Sequence, residues 1–166
     1  MKMIPGVVLG IVLSLSALAW AEVAPDQLLN NVDAKLLKKL RAEAGGDNAQ
    51  LYQKLGFSYF QQQEFDRAFL YFNAAVQNNP KLYWSWYYLG LLRLENAENY
   101  FNKAINANPR FAPAYFWLAR TYEKKGSKVE AVKCFNEYLK VAGSDPEEAG
   151  RVEDAKQMLA KLKGGA

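Results

Sequence analysis

The sequence contains no histidine and only one cysteine, Cys134. It therefore lacks the imidazole groups that most acid–base catalysts and many transition-metal sites use. One thiol cannot close a disulfide within the chain, so the fold has to rest on its hydrophobic core. We also find no nucleophile–base pair, no phosphate-binding glycine loop and no cluster of metal ligands. These absences predict a protein that is not an enzyme and that needs no cofactor and no metal.

Concentrated positive charge is missing as well. The 21 Lys and Arg residues and the 17 Asp and Glu residues are interleaved, and the net charge is only +4. A nucleic-acid groove needs a basic stripe that can neutralise several phosphates. We therefore expect no nucleic-acid partner. Apolar residues make up 51% of the chain, which is typical of a globular protein with a packed core.

Residues 1–21 have the pattern of a secretory signal peptide. Lys2 provides a basic start, residues 4–18 are largely apolar, and the segment ends in Ala-Trp-Ala. We expect cleavage after Ala21, which would place the mature protein in a periplasm or outside the cell. The alternative is an uncleaved membrane anchor facing the periplasm, because residues 3–21 are just long enough to span a bilayer.

A block of sequence recurs in the middle of the chain. Residues 71–82 and 100–111 both begin with Tyr-Phe-Asn, have a central alanine and reach Asn-Pro near their ends. A fainter third copy starts at Cys134. Such a regular recurrence is the signature of stacked structural repeats. It divides the chain into copies at 49–82, 83–111 and 112–145.

The spacing within each copy resembles the tetratricopeptide repeat, a unit of about 34 residues built from two antiparallel helices. In the first copy the resemblance is carried by Tyr52, Leu55, Gly56, Tyr59, Ala68, Phe72, Ala75 and Pro80. The third copy departs from the pattern, with Tyr138 and Gly143 where Ala and Pro are usual. The resemblance implies an all-α fold, a right-handed α-solenoid of about three helix-turn-helix repeats that binds proteins or peptides.

Flanking helices are expected at both ends of the repeat domain, 47–145. Residues 22–46 predict an N-terminal amphipathic helix, formed by 25–44 and stopped by Gly45-Gly46. Residues 146–166 predict a C-terminal capping helix and tail, opened by a capping box that starts at Ser144. Solenoids need such end helices to cover the apolar faces of the outermost repeats.

The second copy is about five residues shorter than the usual repeat. The missing residues fall between Gly90 and Ala97, and two structures fit the remainder. One has a short first helix ending near Arg93, a tight turn at 94–96 and Asn96 capping the next helix. The other is a continuous helix over about 82–107, which would separate the two halves and favour domain-swapped dimers.

A helical wheel of each copy's first helix places a second set of residues on the concave surface, away from the repeat signature. This candidate binding groove consists of Gln53, Phe57, Phe60, Trp84, Tyr87, Leu91, Phe116, Arg120 and Lys124. Tyr88 and Trp117 fall at its edge. Large aromatics together with arginine are typical of protein-binding hot spots. The alternative is that flanking helices or neighbouring repeats bury these rings.

The family resemblance also implies what the groove does not bind. Some relatives clamp a terminal carboxylate with Lys, Asn and Arg, but Gln53 and Phe57 stand where Lys and Asn would be. We therefore expect an apolar or aromatic peptide segment, with one charged contact to Arg120 or Lys124. The leading hypothesis is a protein-binding adaptor in cell-envelope assembly or secretion. The alternative is a self-associating structural scaffold. Contact with a membrane is expected only through an uncleaved signal anchor.

Overall fold

The computed structural model describes residues 25–143 and 145–164, and the predicted signal peptide lies outside them. The described residues form α-helices and two short 3₁₀ turns, without a strand. The helices are α1 (Pro25–Leu29), α2 (Ala34–Ala44), α3 (Asn48–Gln61), α4 (Phe65–Asn78), α5 (Tyr83–Leu92), α6 (Ala97–Ala107), α7 (Ala112–Lys125), α8 (Lys128–Ala142) and α9 (Ala149–Gly164). Within the described ranges, no helix is both long and apolar enough to cross a bilayer.

Three antiparallel helix pairs, α3–α4, α5–α6 and α7–α8, form the body of the molecule. The two helices of each pair pack together, and each pair packs on the next through α4–α5 and α6–α7. Contacts between chain neighbours in this order are the hallmark of a solenoid. The predicted all-α solenoid of three helix-turn-helix units is therefore confirmed.

Two glycines allow the helices of a pair to approach closely. A Cβ atom built on Gly56 would lie 2.7 Å from the ring of Phe72, and one on Gly90 would lie 2.6 Å from the ring of Phe101. Both phenyl rings are buried. The small and large residues of the repeated pattern are thus the two sides of one contact.

The N-terminal flank consists of two helices instead of the single helix expected over 22–46. The α1 helix ends at Leu29, and Asp33 starts α2 by accepting a hydrogen bond from the backbone N–H of Leu36 at 2.8 Å. The break turns Val32 into the hydrophobic core. As expected, α2 ends at Gly45, which adopts a left-handed conformation that glycine accepts without strain.

The short second unit contains a turn, so the continuous helix is wrong. The α5 helix ends at Leu92, a 3₁₀ turn covers Leu94–Asn96, and α6 begins at Ala97. The predicted side-chain cap from Asn96 is absent. Arg93 stabilises the turn instead, because its guanidinium contacts Asp66 at 2.8 Å and lies 4.4 Å above the ring of Phe69.

The C-terminal helix α9 packs against α8, where a capping helix was expected. Ser144, predicted to open the capping box, lies outside the described residues. Asp145 caps this end, since its side chain accepts a hydrogen bond from the backbone N–H of Glu147 at 2.9 Å. A short turn, Pro146–Glu148, then leads into α9.

Candidate functional site

The first helices of the three pairs, α3, α5 and α7, carry the residues of the predicted groove, and we call the surface that they form the concave face. On α3, Phe57 and Phe60 are both half-buried. Their rings meet Tyr88 of α5 at centroid distances of 5.1 Å and 4.7 Å. Tyr88 also stacks on Phe72 at 5.0 Å. These rings therefore join the first unit to the second along the concave face.

Tyr88 was placed only at the edge of the predicted groove, yet it contacts rings on both helices of the first unit. Burial raises the pKa of its hydroxyl group. The sequence did contain a signal for the position of Tyr88. Adjacent residues on a helix point about 100° apart, so Tyr87 and Tyr88 can contact different neighbouring helices. The wheel of a single helix does not show which neighbouring helix each side meets.

Four other rings, Tyr88 among them at a centroid distance of 6.2 Å, support Trp84 of α5, which nevertheless remains 38% exposed. Its centroid lies 4.6 Å from that of Phe111, 5.8 Å from that of Tyr87 and 5.9 Å from that of Tyr83. One side of the indole is thus fixed by packing, and the remainder is open to solvent. A large exposed ring held in place in this way binds a partner with little loss of side-chain entropy.

Tyr87 and Phe116 were expected to be open to a partner, but the structure buries them, with 7% and 4% exposed. Phe116 packs against Tyr138 at 5.3 Å and belongs to the same apolar cluster as Leu159 of α9. Tyr87 packs against Phe111 at 5.3 Å, and burial raises the pKa of its hydroxyl to about 12. At these two positions the alternative, that neighbouring elements bury the rings, is right. Phe111 packs on Tyr87, and Phe116 packs on α8 within the apolar cluster that α9 joins.

A buried polar cluster holds the start of α9 beside this part of the concave face. Glu148, 7% exposed, accepts a hydrogen bond from the hydroxyl of Tyr138 at 2.9 Å and forms an ion pair with Arg151. The hydrogen bond with Glu148 raises the pKa of Arg151, and burial raises that of Tyr138. Both Glu148 and Arg151 act electrostatically on Tyr87. The start of α9 therefore lies near Tyr87 and Tyr138.

Two further predicted groove residues serve contacts between units. Gln53 accepts a hydrogen bond at 2.9 Å from the hydroxyl of Ser85, which is fully buried. Leu91 is half-buried and packs against the cluster around Phe101. Both side chains therefore contribute mainly to the interface between neighbouring helices.

A cavity of about 780 Å³ opens between the turn that follows α5 and the second half of α7. The α5 helix has 10 residues, whereas α3 and α7, on either side of it along the concave face, have 14 each. We call this cavity the notch. Its lining consists of Leu94, Glu95, Trp117, Arg120, Thr121, Glu123, Lys124 and Lys125. It includes the two predicted charged residues of the groove, Arg120 and Lys124, which are both exposed.

Cys134 of α8 is half-buried among apolar neighbours of the α7–α8 pair. Burial raises the pKa of its thiol to about 11, which keeps it protonated and unreactive at neutral pH. In the described ranges, no group of three or more Cys, Asp and Glu residues could hold a metal ion.

Comparison with protein-family profiles identifies the family of this chain. Profiles described as tetratricopeptide repeat match residues 49–82, 85–111 and 100–133. The chain belongs to the tetratricopeptide repeat family. The third match runs from α6 into α8, so it overlaps the second and crosses the boundary between the last two repeats. No curated protein matches the chain in sequence.

Solved structures with the same fold include proteins shown in complex with a peptide or a partner. The type III secretion chaperone SycD of Yersinia enterocolitica, in complex with a peptide of the translocator YopD, is 18% identical, with a TM-score of 0.64 over 81% of this chain and 97% of that one. The TPR2B domain of yeast Sti1, in a pHsp70 complex, is 16% identical, with a TM-score of 0.62 over 72% and 98%. At these identities the likeness shows a shared tetratricopeptide repeat fold.

Proposed function

We propose that the chain is a non-catalytic adaptor that binds a peptide or protein segment on its concave face. Trp84 is the observation that carries this proposal, because its indole is 38% exposed and rests on Phe111 and Tyr83. Tryptophan is one of the residues enriched at binding hot spots, and this one is both fixed by packing and accessible. The complexes of SycD with a YopD peptide and of Sti1 with pHsp70 support the proposal, because they use this fold to bind a peptide or a partner protein.

The contact surface that we propose is smaller than the groove read from the sequence. Phe57, Phe60 and Trp84 form its aromatic part, and Arg120 with Lys124 forms its charged part. Tyr87 and Phe116 support this surface from beneath, since both are buried. The partner segment is accordingly apolar or aromatic where it meets α3 and α5.

The adaptor acts outside the cytoplasm in this proposal, in the periplasm or as a secreted protein, and takes part in envelope assembly or secretion. The support is the basic start, apolar stretch and Ala-Trp-Ala ending of residues 1–21.

Site-specific photocrosslinking tests the binding surface. A photoreactive phenylalanine replaces Trp84 in one sample and the exposed Gln157 of α9 in the control, and both proteins are incubated with native envelope extract. We expect a partner to be crosslinked from position 84 and not from position 157. The dissociation constant for that partner is then measured with purified wild-type protein and Trp84→Ala.

Trp84→Ala should weaken binding about 30-fold, which corresponds to a hot spot of about 2 kcal/mol. The control is Val129→Ala, which truncates an apolar side chain that is 77% exposed on α8. Equal affinities for Trp84→Ala and Val129→Ala would show that the concave face is not the contact surface. A dimer in light scattering that Trp84→Ala dissociates would make the chain a self-associating scaffold instead of an adaptor.

A further inference from the structure

The notch is a feature of this chain's shortened repeat. In α7, Arg120 and Thr121 lie three and four residues after Trp117, and Lys124 lies four and three residues after them, so all four share one side of the helix. They line the notch, because α5 ends four residues earlier than a helix of the length of α3 would. The volume of about 780 Å³ is within the range of about 300–1,000 Å³ found for ligand pockets.

Two apolar side chains in the notch are open to solvent. Leu94, in the turn after α5, is 62% exposed, and Trp117 of α7 is 36% exposed. Burying both against one apolar side chain of a partner would remove this surface from water, which is the main favourable term in association.

The charges around the notch are unevenly paired. Arg120 pairs with Glu123 at 3.2 Å, and Lys125 pairs with Glu98 at 2.6 Å. Lys124 and Glu95 form no ion pair and no side-chain hydrogen bond within residues 25–143 and 145–164. Lys124 belongs to α7 and Glu95 to the turn after α5, so one unpaired cation and one unpaired anion stand on different elements of the lining.

We infer that the notch binds a peptide segment in which an apolar side chain is flanked by one acidic and one basic residue. The apolar side chain enters between Leu94 and Trp117, the acidic residue pairs with Lys124, and the basic residue pairs with Glu95. Opposite charges at fixed places give specificity and direction, because a reversed segment would bring like charges together. This inference rests on the proposed function, since it assigns the partner's chemistry at one end of the same face.

Three synthetic peptides of nine residues test the charge pattern. They share the same flanking residues and differ in the centre, which reads Glu-Leu-Lys, Lys-Leu-Glu or Gln-Leu-Gln. Because the lining has a fixed polarity, we expect one charged order to bind about 5- to 10-fold tighter than the neutral peptide, as suits two partly exposed ion pairs. The reversed order should bind more weakly than the neutral peptide. Binding is followed by tryptophan fluorescence, and Trp117→Phe identifies the part of the signal that comes from the notch.

The charge-swapped variant Glu95→Lys with Lys124→Glu should prefer the opposite peptide order. Such an inversion cannot result from partial unfolding, which would weaken all three peptides alike. The control swap is Glu153→Lys with Lys156→Glu, which exchanges two exposed charges on α9 and should leave the preference unchanged.

An unchanged order preference in the Glu95/Lys124 swap would overturn the inference, and so would equal binding of the neutral peptide. Failure of all three peptides to bind the wild-type protein would also overturn it. These results leave the proposed function intact if the partner crosslinked at position 84 still binds the swapped protein. A separate result would contradict the proposed function, namely an unchanged affinity of Trp84→Ala for that partner.

Discussion

Gly90 and Phe101 are so close that a Cβ atom at position 90 would lie 2.6 Å from Cε1 of the phenyl ring. The ring is 1% exposed and has little room to move. Gly90→Ala should therefore lower the free energy of unfolding by about 1–3 kcal/mol, the usual cost of overpacking a core. Urea denaturation monitored by circular dichroism measures the change.

Gly150 of α9 provides the matched control, because nothing lies within 4 Å of the place that a Cβ atom would occupy there. Gly150→Ala should leave stability unchanged or raise it by up to about 1 kcal/mol through helix propensity. If Gly90→Ala is as well tolerated as Gly150→Ala, the α5–α6 packing is looser than described.

Tyr87→Ala and Phe116→Ala should each cost about 3–5 kcal/mol of stability, as is typical of truncated aromatic core residues. Both rings are buried, whereas Trp84 is 38% exposed. Trp84→Ala should accordingly cost clearly less than either. Thermal and urea unfolding of the three variants rank them, and a small loss for Phe116→Ala would contradict the burial of this ring.

Burial of Phe116 shows where sequence reasoning reaches its limit. The contact of Gly56 with Phe72 was implied by the repeated small and large residues, because a small residue on the first helix and a large one on the second recur in each pair. Phe116 packs on Tyr138 of α8 and belongs to an apolar cluster that also includes Leu159, which is distant in sequence and belongs to no repeat. Periodicity predicts which side of a helix is apolar, but it does not identify the element that packs there.

Periodicity also fails to predict the break between α1 and α2 in the N-terminal flank. The apolar residues of 25–44 continue a helical pattern through the break, so the periodicity predicts one helix. Asp33 overrides it locally by capping α2, and the hydroxyl of Tyr71 donates a 2.7 Å hydrogen bond to the carbonyl oxygen of Leu28, which ties α1 to α4. The hydrogen bond from Tyr71 comes from the first repeat, so the pattern of residues 25–44 alone does not predict it.

Cys134 should react slowly with iodoacetamide at pH 8. Its pKa is raised from 9.0 to about 11, so the thiolate fraction is lower by about 100-fold than that of an unperturbed thiol. The rate should rise with pH towards 11 in the folded protein and should increase at constant pH when urea unfolds it. Because the sequence has no other cysteine, the measured alkylation reports this thiol alone.

The raised pKa also has a consequence for stability. The folded state retains the thiol proton more strongly than the unfolded state, so this contribution is complete below about pH 9 and is lost as the pH rises to about 11. Cys134→Ala should remove that part of the pH dependence. Rapid alkylation of folded protein at pH 8 would contradict the half-buried position.

The mature protein should begin at Glu22 and should be recovered outside the cytoplasm. Edman sequencing or mass spectrometry of the product from a fractionated bacterial culture checks the terminus. The control is Ala21→Arg, which puts a large charged residue where signal cleavage requires a small one and should block processing. Recovery of the unmodified chain with residues 1–21 in the membrane fraction would favour the anchor.

The short α5 helix also limits how a ligand can be aligned with the protein. A solenoid of equal repeats offers nearly the same surface at every step, so a bound segment can shift by one repeat with little change in energy. Here α5 has 10 residues between two helices of 14, which makes one position along the face different from the others. A segment that fills the notch can therefore bind in only one register, because the shortened repeat gives the notch a shape that the other positions lack.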